Sequence, residues 1–562
     1  MTISTAPVAP AAVSGLSPYT GPWEKAQAAH LLRRCIMGPK PVEINDAVAD
    51  GLDATLDKLF ATPVVPAPPV NHFFPDDPYV AVGQTWVNSP RNPNVDVGPY
   101  RSNSLRGWYW NHLIDAPGTI MERLAMFWIN HFGMSDVGEQ RAQYQYIQLF
   151  REFGAGSYKE MIEKITVHPA MLRFLNGDYS NKWEPNENYA RELLELFTIQ
   201  KGPQIAPGDY THYTEQDIKV AARILTGWRN RGMWSEEDIP VESYFFAEWH
   251  DDETDPNNPN QNIKQLSEKF GNAIIPNNDE NEYKDLIAII FDQPETARAM
   301  CREIYRFFVY YDITDAIEAD VIEPLAQHMI DNDFSMESTL RLLFSSEHFY
   351  DMAVRGPIIK NPYEYMLSIA RPLGGYTHLG LNLVGNENSP EIWTIYNIGR
   401  SYHWKGDSLN MDFLYPPTVA GWKAYYQTPN YYRNWISSSM LQERRRTVNS
   451  FTYGGLYTQT NDGDYDPRPF DWMGFMEALS NPADVNEVVQ ESIEIFLPRD
   501  LHPDQFDALK DQLLQGQEDG EWTIQWNNYL DSPFDPDTVN PLRNKIKDFY
   551  RSLFSMAEFH LQ

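Results

Sequence analysis

The chain has 562 residues and a formal net charge of −33, because 78 Asp and Glu outnumber 45 Lys and Arg. So acidic a chain repels phosphate backbones and anionic membrane surfaces. It also contains no apolar run of about 18 residues, the length that a transmembrane helix needs. We therefore expect no nucleic-acid partner and no membrane span, and a composition that is 42% hydrophobic and 22% charged predicts a folded globular protein.

The first 21 residues are rich in Ala, Pro, Ser and Thr. They lack the basic and long apolar regions of a classical signal peptide, so we predict a flexible leader over residues 1–21. A cytoplasmic location, removal of a signal segment and export by an unusual route all stay open. The two cysteines, Cys35 and Cys301, exclude a disulfide framework, and we expect two buried thiols, with a single bridge as the alternative.

Helical periodicity begins at Trp23 and dominates the chain. Residues 62–104 interrupt it with prolines, aromatics and asparagines, which predicts a long ordered loop. The segment MERLAMFWINHFG at 121–133 is apolar around nearly its whole helical circumference and ends at Gly133, a residue suited to a left-handed helix cap. We expect this helix to lie at the centre of the protein.

The segment NENYARELLELFT at 186–198 predicts an amphipathic helix that carries the first candidate site. Glu192 and Glu195, one turn apart, are candidate catalytic carboxylates that could work as acid and base. Asn188, one turn before Glu192, is a candidate substrate-binding residue. This interpretation requires the polar face of the helix to border a cleft.

The alternative for the same helix is an ion-pair ladder on a solvated face. Glu187, Arg191 and Glu195 follow one another at i,i+4 steps, and each such pair contributes only about 0.2–0.5 kcal/mol. A di-iron carboxylate bundle would also need Glu-x-x-His pairs, which the sequence lacks. A catalytic cluster and an ordinary ladder therefore both stay open.

Three other residues have the right chemistry for a site. His131, near the end of the 121–133 helix, is either a buried structural donor or a catalytic acid, base or metal ligand. Arg33 could bind an anionic substrate group or pair with the glutamates of the 186–198 helix. Trp422, in the rigid turn LYPPTVAGW, could stack on a sugar ring or pack in the core.

An acidic insertion near 229–282 suggests a metal site. His250 and Asp251 begin its most acidic stretch, and Asp217 in the preceding helix is a third candidate ligand. The alternating acidic side chains from Asp251 onward are typical of Ca²⁺ loops, but Pro256 stands where an EF-hand requires glycine. A divalent cation such as Ca²⁺ bound outside the EF-hand pattern and a solvated acidic loop are the two alternatives.

These elements predict a mainly α fold, a multi-helix globular assembly with long irregular loops and at most minor β-hairpins. We predict a main helical domain at 22–450 that includes the acidic insertion. Residues 451–562 should form an acidic loop and C-terminal helices that pack on the main domain. The motifs of common serine hydrolases, NTPases, dehydrogenases and zinc metalloproteases are all missing.

Several segments resemble, in the same order, the bacterial family known as domain of unknown function 1800. They are AHLLRRCIMGPKPVEI at 29–44, MERLAMFWINHFGMS at 121–135, HPAMLRFLNG at 168–177, PNENYARELLELFT at 185–198, YTEQDIKVAARILTGW at 213–228, HD at 250–251, KNPYEYMLSIARPLG at 360–374 and LYPPTVAGW at 414–422. The resemblance runs from about residue 25 to the C-terminus. GPKP replaces the more usual FGATP-like turn, and the segment YYQTPNYYRNW after Trp422 is longer and more aromatic than in the family.

The resemblance implies one mostly helical unit, often exported, and often accompanied by an alkaline-phosphatase-superfamily-like protein. It implies no reaction. We therefore expect either an enzyme-like protein of the cell envelope that acts on a neutral or cationic polymer such as a polysaccharide, or a non-catalytic binding or assembly partner of another exported protein.

Overall fold

Helices form most of the chain in the computed structural model, which confirms the mainly α prediction. The structure describes residues 15–62, 64–92, 94–252, 263–374, 390–454, 456–459, 465–468 and 470–562. Within these ranges, no helix combines the length and the apolar character that a bilayer crossing needs. The expectation of no membrane-spanning helix is met in this part of the chain.

The helices of the first half, up to the acidic insertion, include the predicted central helix α5 and the amphipathic helix α9. They are α1 (Lys25–Cys35), α2 (Pro41–Asp50), α3 (Leu52–Leu59), α4 (Gly98–Asp115), α5 (Met121–Phe132), α6 (Gln140–Phe153), α7 (Tyr158–Thr166), α8 (Pro169–Phe174), α9 (Glu187–Glu195) and α10 (Glu215–Ile224).

The helices that follow the insertion continue to the C-terminus. They are α11 (Glu282–Phe291), α12 (Pro294–Phe308), α13 (Asp315–Ile317), α14 (Glu323–Asp331), α15 (Met336–Phe344), α16 (Glu347–Tyr350), α17 (Pro362–Ala370), α18 (Pro390–Ser408), α19 (Lys423–Tyr426), α20 (Ser438–Tyr453), α21 (Trp472–Glu477), α22 (Val485–Phe496), α23 (Pro503–Leu514), α24 (Asp519–Asp531) and α25 (Pro536–Ser555).

Strands occur only as short antiparallel hairpins in the described ranges, as predicted. The hairpins pair β1 (Gln204–Ala206) with β2 (Asp209–Tyr210), β3 (Trp228–Arg231) with β4 (Glu242–Phe245), and β5 (Leu456–Gln459) with β6 (Tyr465–Arg468). In β3–β4, Trp228 faces Phe245 and Arg231 faces Glu242.

Helix α5 lies at the centre of the core, as its all-round apolar pattern predicts. Every residue from Met121 to Phe132 is buried except His131, which is partly exposed. Gly133 ends the helix with φ 51°, and its N–H donates to the carbonyl of Ile129. A Cβ atom on Gly133 would stand 2.1 Å from the carbonyl oxygen of Val419, so the end of α5 meets the LYPPTVAGW turn at a distance that only glycine allows.

Helices α9 and α10 pack against each other, and α9 buries the apolar face that the sequence predicts. Tyr189 and Leu193 belong to the buried face of α9. A capping box begins α10, because the backbone N–H of Thr214 donates to Asp217 Oδ2 at 2.7 Å. Both cysteines are buried free thiols, and burial raises the pKa of each.

The first and last described segments contact the helical body. Residues 1–14 of the predicted leader lie outside the described residues, whereas the N–H of Tyr19 donates to the carbonyl of Ser345 at 2.7 Å. At the other end, the N–H of Gln562 donates to the carbonyl of Ile358 at 2.9 Å, and α22 contacts α1. The domain boundary at residue 450 stays a prediction.

Replacing Gly133 with alanine should destabilise the protein through two effects that can be separated. A left-handed φ alone costs a non-glycine residue about 1–2 kcal/mol, and the clash with Val419 should add about 1–3 kcal/mol. Gly271→Ala is the matched control, because Gly271 has φ 63° with no atom within 4 Å of an added Cβ. Urea unfolding of both variants measures the difference, and equal losses of unfolding free energy would contradict the close contact.

Candidate functional site

Glu192 and Glu195, the candidate catalytic carboxylates, lie one turn apart near the end of α9. Glu195 forms an ion pair with Lys201 and accepts a hydrogen bond from the hydroxyl of Tyr213 at 3.2 Å. Burial and the charge of Glu195 raise the pKa of Glu192 above its ordinary value. The helix therefore brings two carboxyl groups together, but one of them already has a cationic partner.

Asn188, the candidate substrate-binding residue of the same helix, is exposed, and its N–H donates to the N-cap side chain of Asn186 at 2.8 Å. In the described structure, one of the two ion pairs of the predicted ladder forms. Arg191 pairs with Glu187 at 3.3 Å, but it approaches Glu215 of α10 more closely, at 2.7 Å. The main role of this arginine is thus to link two helices, and the third predicted member of the ladder pairs with a lysine.

His131 lies among aromatic side chains. Its ring centroid is 4.9 Å from that of Phe132 and 6.0 Å from that of Phe127. Nε2 lies 3.3 Å from the carbonyl oxygen of Phe197, and burial lowers the pKa of His131 to about 4, so its neutral ring can donate to that carbonyl. Among the described residues, no hydrogen bond or ion pair joins His131 to Glu192 or Glu195.

Arg33 and Trp422, the other two candidate substrate-binding residues, lie in separate parts of the core. Nη1 of Arg33 donates to the carbonyls of Glu494 and Ile495 at 2.9 and 3.1 Å, and burial lowers the pKa of Arg33 to about 9. The backbone N–H of Trp422 donates to Asn130 Oδ1 at 2.9 Å, and its side chain is buried. Both residues therefore hold chain segments together.

The three candidate metal ligands each have protein partners. Asp217 accepts hydrogen bonds from the N–H and the hydroxyl of Ser267, both at 2.7 Å, as well as those of its own capping box. Asp251 pairs with Nε of Arg223 at 2.6 Å. In the described part of the chain, no group of three or more His, Cys, Asp or Glu could hold a metal ion. Residues 253–262 lie outside that part, and the Ca²⁺ loop stays a prediction.

His250, the third candidate metal ligand, belongs to a buried ion-pair network with Glu282 and Lys264, which we name the staple. Nε2 of His250 lies 2.8 Å from Glu282 Oε2, and Nζ of Lys264 lies 2.6 Å from Glu282 Oε1. All three side chains are almost fully buried. His250 precedes residues 253–262 and Lys264 follows them, so one carboxylate ties together the two ends of the acidic loop.

Glu282→Gln should destabilise the protein by about 3 kcal/mol, because it leaves a buried lysine without its counter-charge. Glu187→Gln is the matched control, since it removes a partner of Arg191 whose side chain is 41% exposed, and it should change the unfolding free energy by less than about 0.5 kcal/mol. Thermal and urea unfolding measure both, and a Glu282→Gln variant as stable as the control would argue against the staple.

A second polar cluster lies where α4 crosses α18. A Cβ atom added to Gly399 of α18 would stand 2.3 Å from the carbonyl oxygen of Gly107 in α4. A Cβ atom on Gly107 would stand 2.7 Å from the carbonyl oxygen of Tyr396. The backbones therefore touch at this point, and an arginine stands next to each glycine, Arg106 in α4 and Arg400 in α18.

We name four side chains near this point the crossing cluster. They are Arg106, Arg400, His403 and Asp412. Asp412 Oδ2 lies 3.6 Å from Arg106 Nη2 and 3.8 Å from His403 Nε2. About a quarter of the Arg106 and Asp412 side-chain surface reaches solvent, whereas His403 is buried. The cluster is thus open on the side of Arg106 and Asp412.

Burial and, after it, the neighbouring charges shift the pKa values of the crossing cluster. Burial lowers the pKa of Arg400, and the charge of Arg106 lowers it further. Burial and both arginines lower the pKa of His403 to about 3, so this ring is neutral. Burial raises the pKa of Asp412 to about 6 against the pull of Arg106, and the charges of Asp407 and Asp136 contribute to the rise.

Several polar atoms around the cluster are buried without a hydrogen-bond partner in the described structure. They are Nε of Arg106 and of Arg400, Oδ1 of Asp412, Oδ1 of Asn111, Nδ2 of Asn397, Nε1 of Trp393 and both ring nitrogens of His72. Buried polar atoms normally have partners, and a group of orphans is typical of a place where a ligand or water binds.

The cluster is linked to the end of the central helix. The ring of Tyr415 lies under the guanidinium of Arg106 at 5.0 Å, and its hydroxyl donates to Gln143 Oε1 at 3.2 Å. Nε2 of Gln143 in turn donates to Asp136 Oδ1 at 2.8 Å. One family-like segment, 121–135, thus ends next to Asp136, and another, 414–422, begins beside this cluster with Tyr415.

A cavity of about 440 Å³ between α3 and α15 holds a different polar pair. His328 Nε2 lies 2.8 Å from Ser338 Oγ, the spacing of a nucleophile and its base. An oxyanion would need free N–H groups nearby, but the N–H groups of Met336 and Glu337 already donate to carbonyls at 2.9 Å. The crossing cluster is the stronger candidate site.

The sequence prediction missed the crossing cluster. The available signal was a glycine in the middle of each of two helical segments, at Gly107 and Gly399, because an internal glycine lowers helix stability and so indicates close packing. Nothing in the sequence shows that these two positions meet.

Fold and site together define a mainly α globular protein with an arginine-rich polar cluster at a helix crossing. The chain belongs to the family described as "Protein of unknown function (DUF1800)", whose model matches residues 30–536. The resemblance seen in the sequence motifs is therefore confirmed. Comparison with curated proteins and with solved structures gave no match.

Proposed function

We propose that the protein is an enzyme that acts on a polysaccharide at the crossing cluster, with Asp412 as the proton donor. The observation that carries the proposal is a carboxyl group with a pKa of about 6 that still reaches solvent. A general acid works best when its pKa lies near the working pH and its proton can reach the substrate. Asp412 meets both conditions.

The surroundings of the crossing cluster suit a sugar ring. Trp404 is more than half exposed, with Arg400 above its ring at 4.9 Å, and Tyr415 lies under Arg106. Aromatic faces pack on the apolar faces of sugars, while guanidinium, amide and carboxyl groups bind hydroxyls. Such a combination of flat apolar and convergent polar groups supports a saccharide ligand.

A second carboxyl group is available at Asp136. This residue is exposed and accepts hydrogen bonds from Gln143 Nε2 and from the N–H of Gly138, at 2.8 and 2.7 Å. Glycosidic-bond cleavage uses one carboxyl that donates a proton and a second carboxylate that acts as base or nucleophile. In the proposal, Asp412 protonates the glycosidic oxygen and Asp136 takes the second role.

The proposal is tested with three polymers of different charge: xylan, which is neutral, chitosan, which is cationic, and polygalacturonate, which is anionic. New reducing ends are measured for wild type, Asp412→Asn and Glu192→Gln. Glu192 is the matched control, because it is also a half-buried carboxyl with a raised pKa and it represents the α9 candidate site. Asp412→Asn should lose at least about 100-fold in rate, and Glu192→Gln should lose less than about threefold.

The pH dependence gives a second readout. Asp412 must be protonated to donate, so kcat/KM of wild type should fall as pH rises above about 6, and this descending limb should be absent in Asp412→Asn. No reducing ends from any polymer, or full activity in Asp412→Asn, would overturn the proposal. A large loss in Glu192→Gln alone would move the site to α9.

The proposal also includes a location, a protein partner and a cation. The family resemblance favours the cell envelope or a secreted form, with the cytoplasm as the alternative, and an alkaline-phosphatase-superfamily-like protein as a partner. A divalent cation such as Ca²⁺ would bind in the acidic loop after Asp251. The alternative function is a non-catalytic binding or assembly role, and polymer binding without cleavage would support it.

A further inference from the structure

We propose that the crossing cluster binds an acidic sugar, whose carboxylate bridges the guanidinium groups of Arg106 and Arg400. This inference uses the same site as the proposed function and names its substrate class.

The glycine contact at the crossing is the first observation. Because the two backbones touch at Gly107 and Gly399, the arginines adjacent to these glycines come from two different helices to one place. Arg106 acts on Arg400 and both act on His403 through their charges, so all three lie within electrostatic reach of one another. Like charges held together by backbone packing repel one another, and Asp412 lies against Arg106 and His403. A further anion next to both arginines would reduce that repulsion.

The second observation is that the protein compensates these charges only in part, through an aromatic ring next to each guanidinium and one long ion pair. Oδ2 of Asp412 stays 3.6 Å from Arg106, beyond a good hydrogen bond, and Arg400 donates through Nη1 to the neutral oxygen of Asn397 at 3.0 Å. The Nε atoms of both arginines are buried without a partner in the described structure. Two guanidinium groups thus keep donors that fit a planar oxyanion.

The third observation is a set of buried polar side chains around Arg400. His72, Asn111 and Asn397 are each more than nine-tenths buried and each has an unpartnered polar atom. A Cβ atom on Gly399 would stand 2.8 Å from Asn111 Oδ1, and the charge of Arg400 acts on His72. These side chains therefore border the crossing itself, where they could bind the hydroxyls of a ligand held by the arginines.

The neighbouring groups favour a carboxylate over a phosphate. Asp412, Asp407 and Asp136 contribute negative charge at the edge of the cluster, so a dianion would be repelled more strongly than a monoanion. A carboxylate is flat and carries one charge, and it can accept one hydrogen bond from each arginine. A uronic acid places such a carboxylate directly on the ring that Trp404 and Tyr415 would contact.

The test measures binding separately from cleavage. Short oligogalacturonates and their methyl esters, which carry the same rings without charge, are titrated by calorimetry into wild type, Arg106→Gln and Arg400→Gln. Wild type should bind the acid form at least about tenfold more tightly than the ester, and each variant should lose most of this difference while its affinity for the ester stays within about threefold. Arg231→Gln is the control, because Arg231 is an exposed arginine paired with Glu242, and it should behave as wild type.

Arg400→Lys is a second variant for the case that Arg400→Gln fails to fold. It keeps the positive charge and loses only the planar guanidinium, so it should retain part of the preference for the acid form. Equal affinity of wild type for acid and ester, no binding of either, or equal loss of both ligands in the arginine variants would each overturn the inference. In each of these three cases, cleavage of xylan or chitosan that depends on Asp412 would still support the proposed function. Binding of the acid form without cleavage of any polymer would keep the inference and overturn the proposed function.

Discussion

The contact between the backbones of α4 and α18 is the constraint on which the candidate site depends. Gly399 leaves no room for a Cβ atom against the carbonyl of Gly107, so the two helices approach as closely as their backbones allow. This approach buries the polar groups next to the glycines and confines two arginines to one place. Burial raises the pKa of Asp412 and lowers the pKa of His403.

Buried arginines connect the irregular parts of the chain to the helices. Arg34 donates to the carbonyl of Val354, Arg444 donates to that of Lys360, and Arg371 donates to the carbonyls of Gly38 and Ala116. A loop cannot pair all of its own backbone carbonyls, and a guanidinium with five donors can serve several of them. Hydrogen bonds from arginine side chains therefore hold the long loops of this fold, whose hairpins are short.

The net charge of the chain and the local charge of the crossing cluster point in opposite directions. A formal charge of −33 predicts a neutral or cationic partner. At short range, however, individual charges in a poorly solvated site outweigh a distant and screened surface charge. Two arginines with unpartnered donors can therefore favour an anionic group inside a strongly acidic protein.

The sequence by itself determined the helical class, the central position of α5 and the buried face of α9, because hydrophobic period and capping residues act over a few neighbouring positions. It also determined the family, since the motifs keep their order along the chain. Only the tertiary structure decided which polar residues meet. Glu192 and Glu195 are close because they share one helix, whereas Arg106 and Asp412 are separated by about three hundred positions in sequence. Packing brings such residues together, and no local pattern in the sequence encodes that contact.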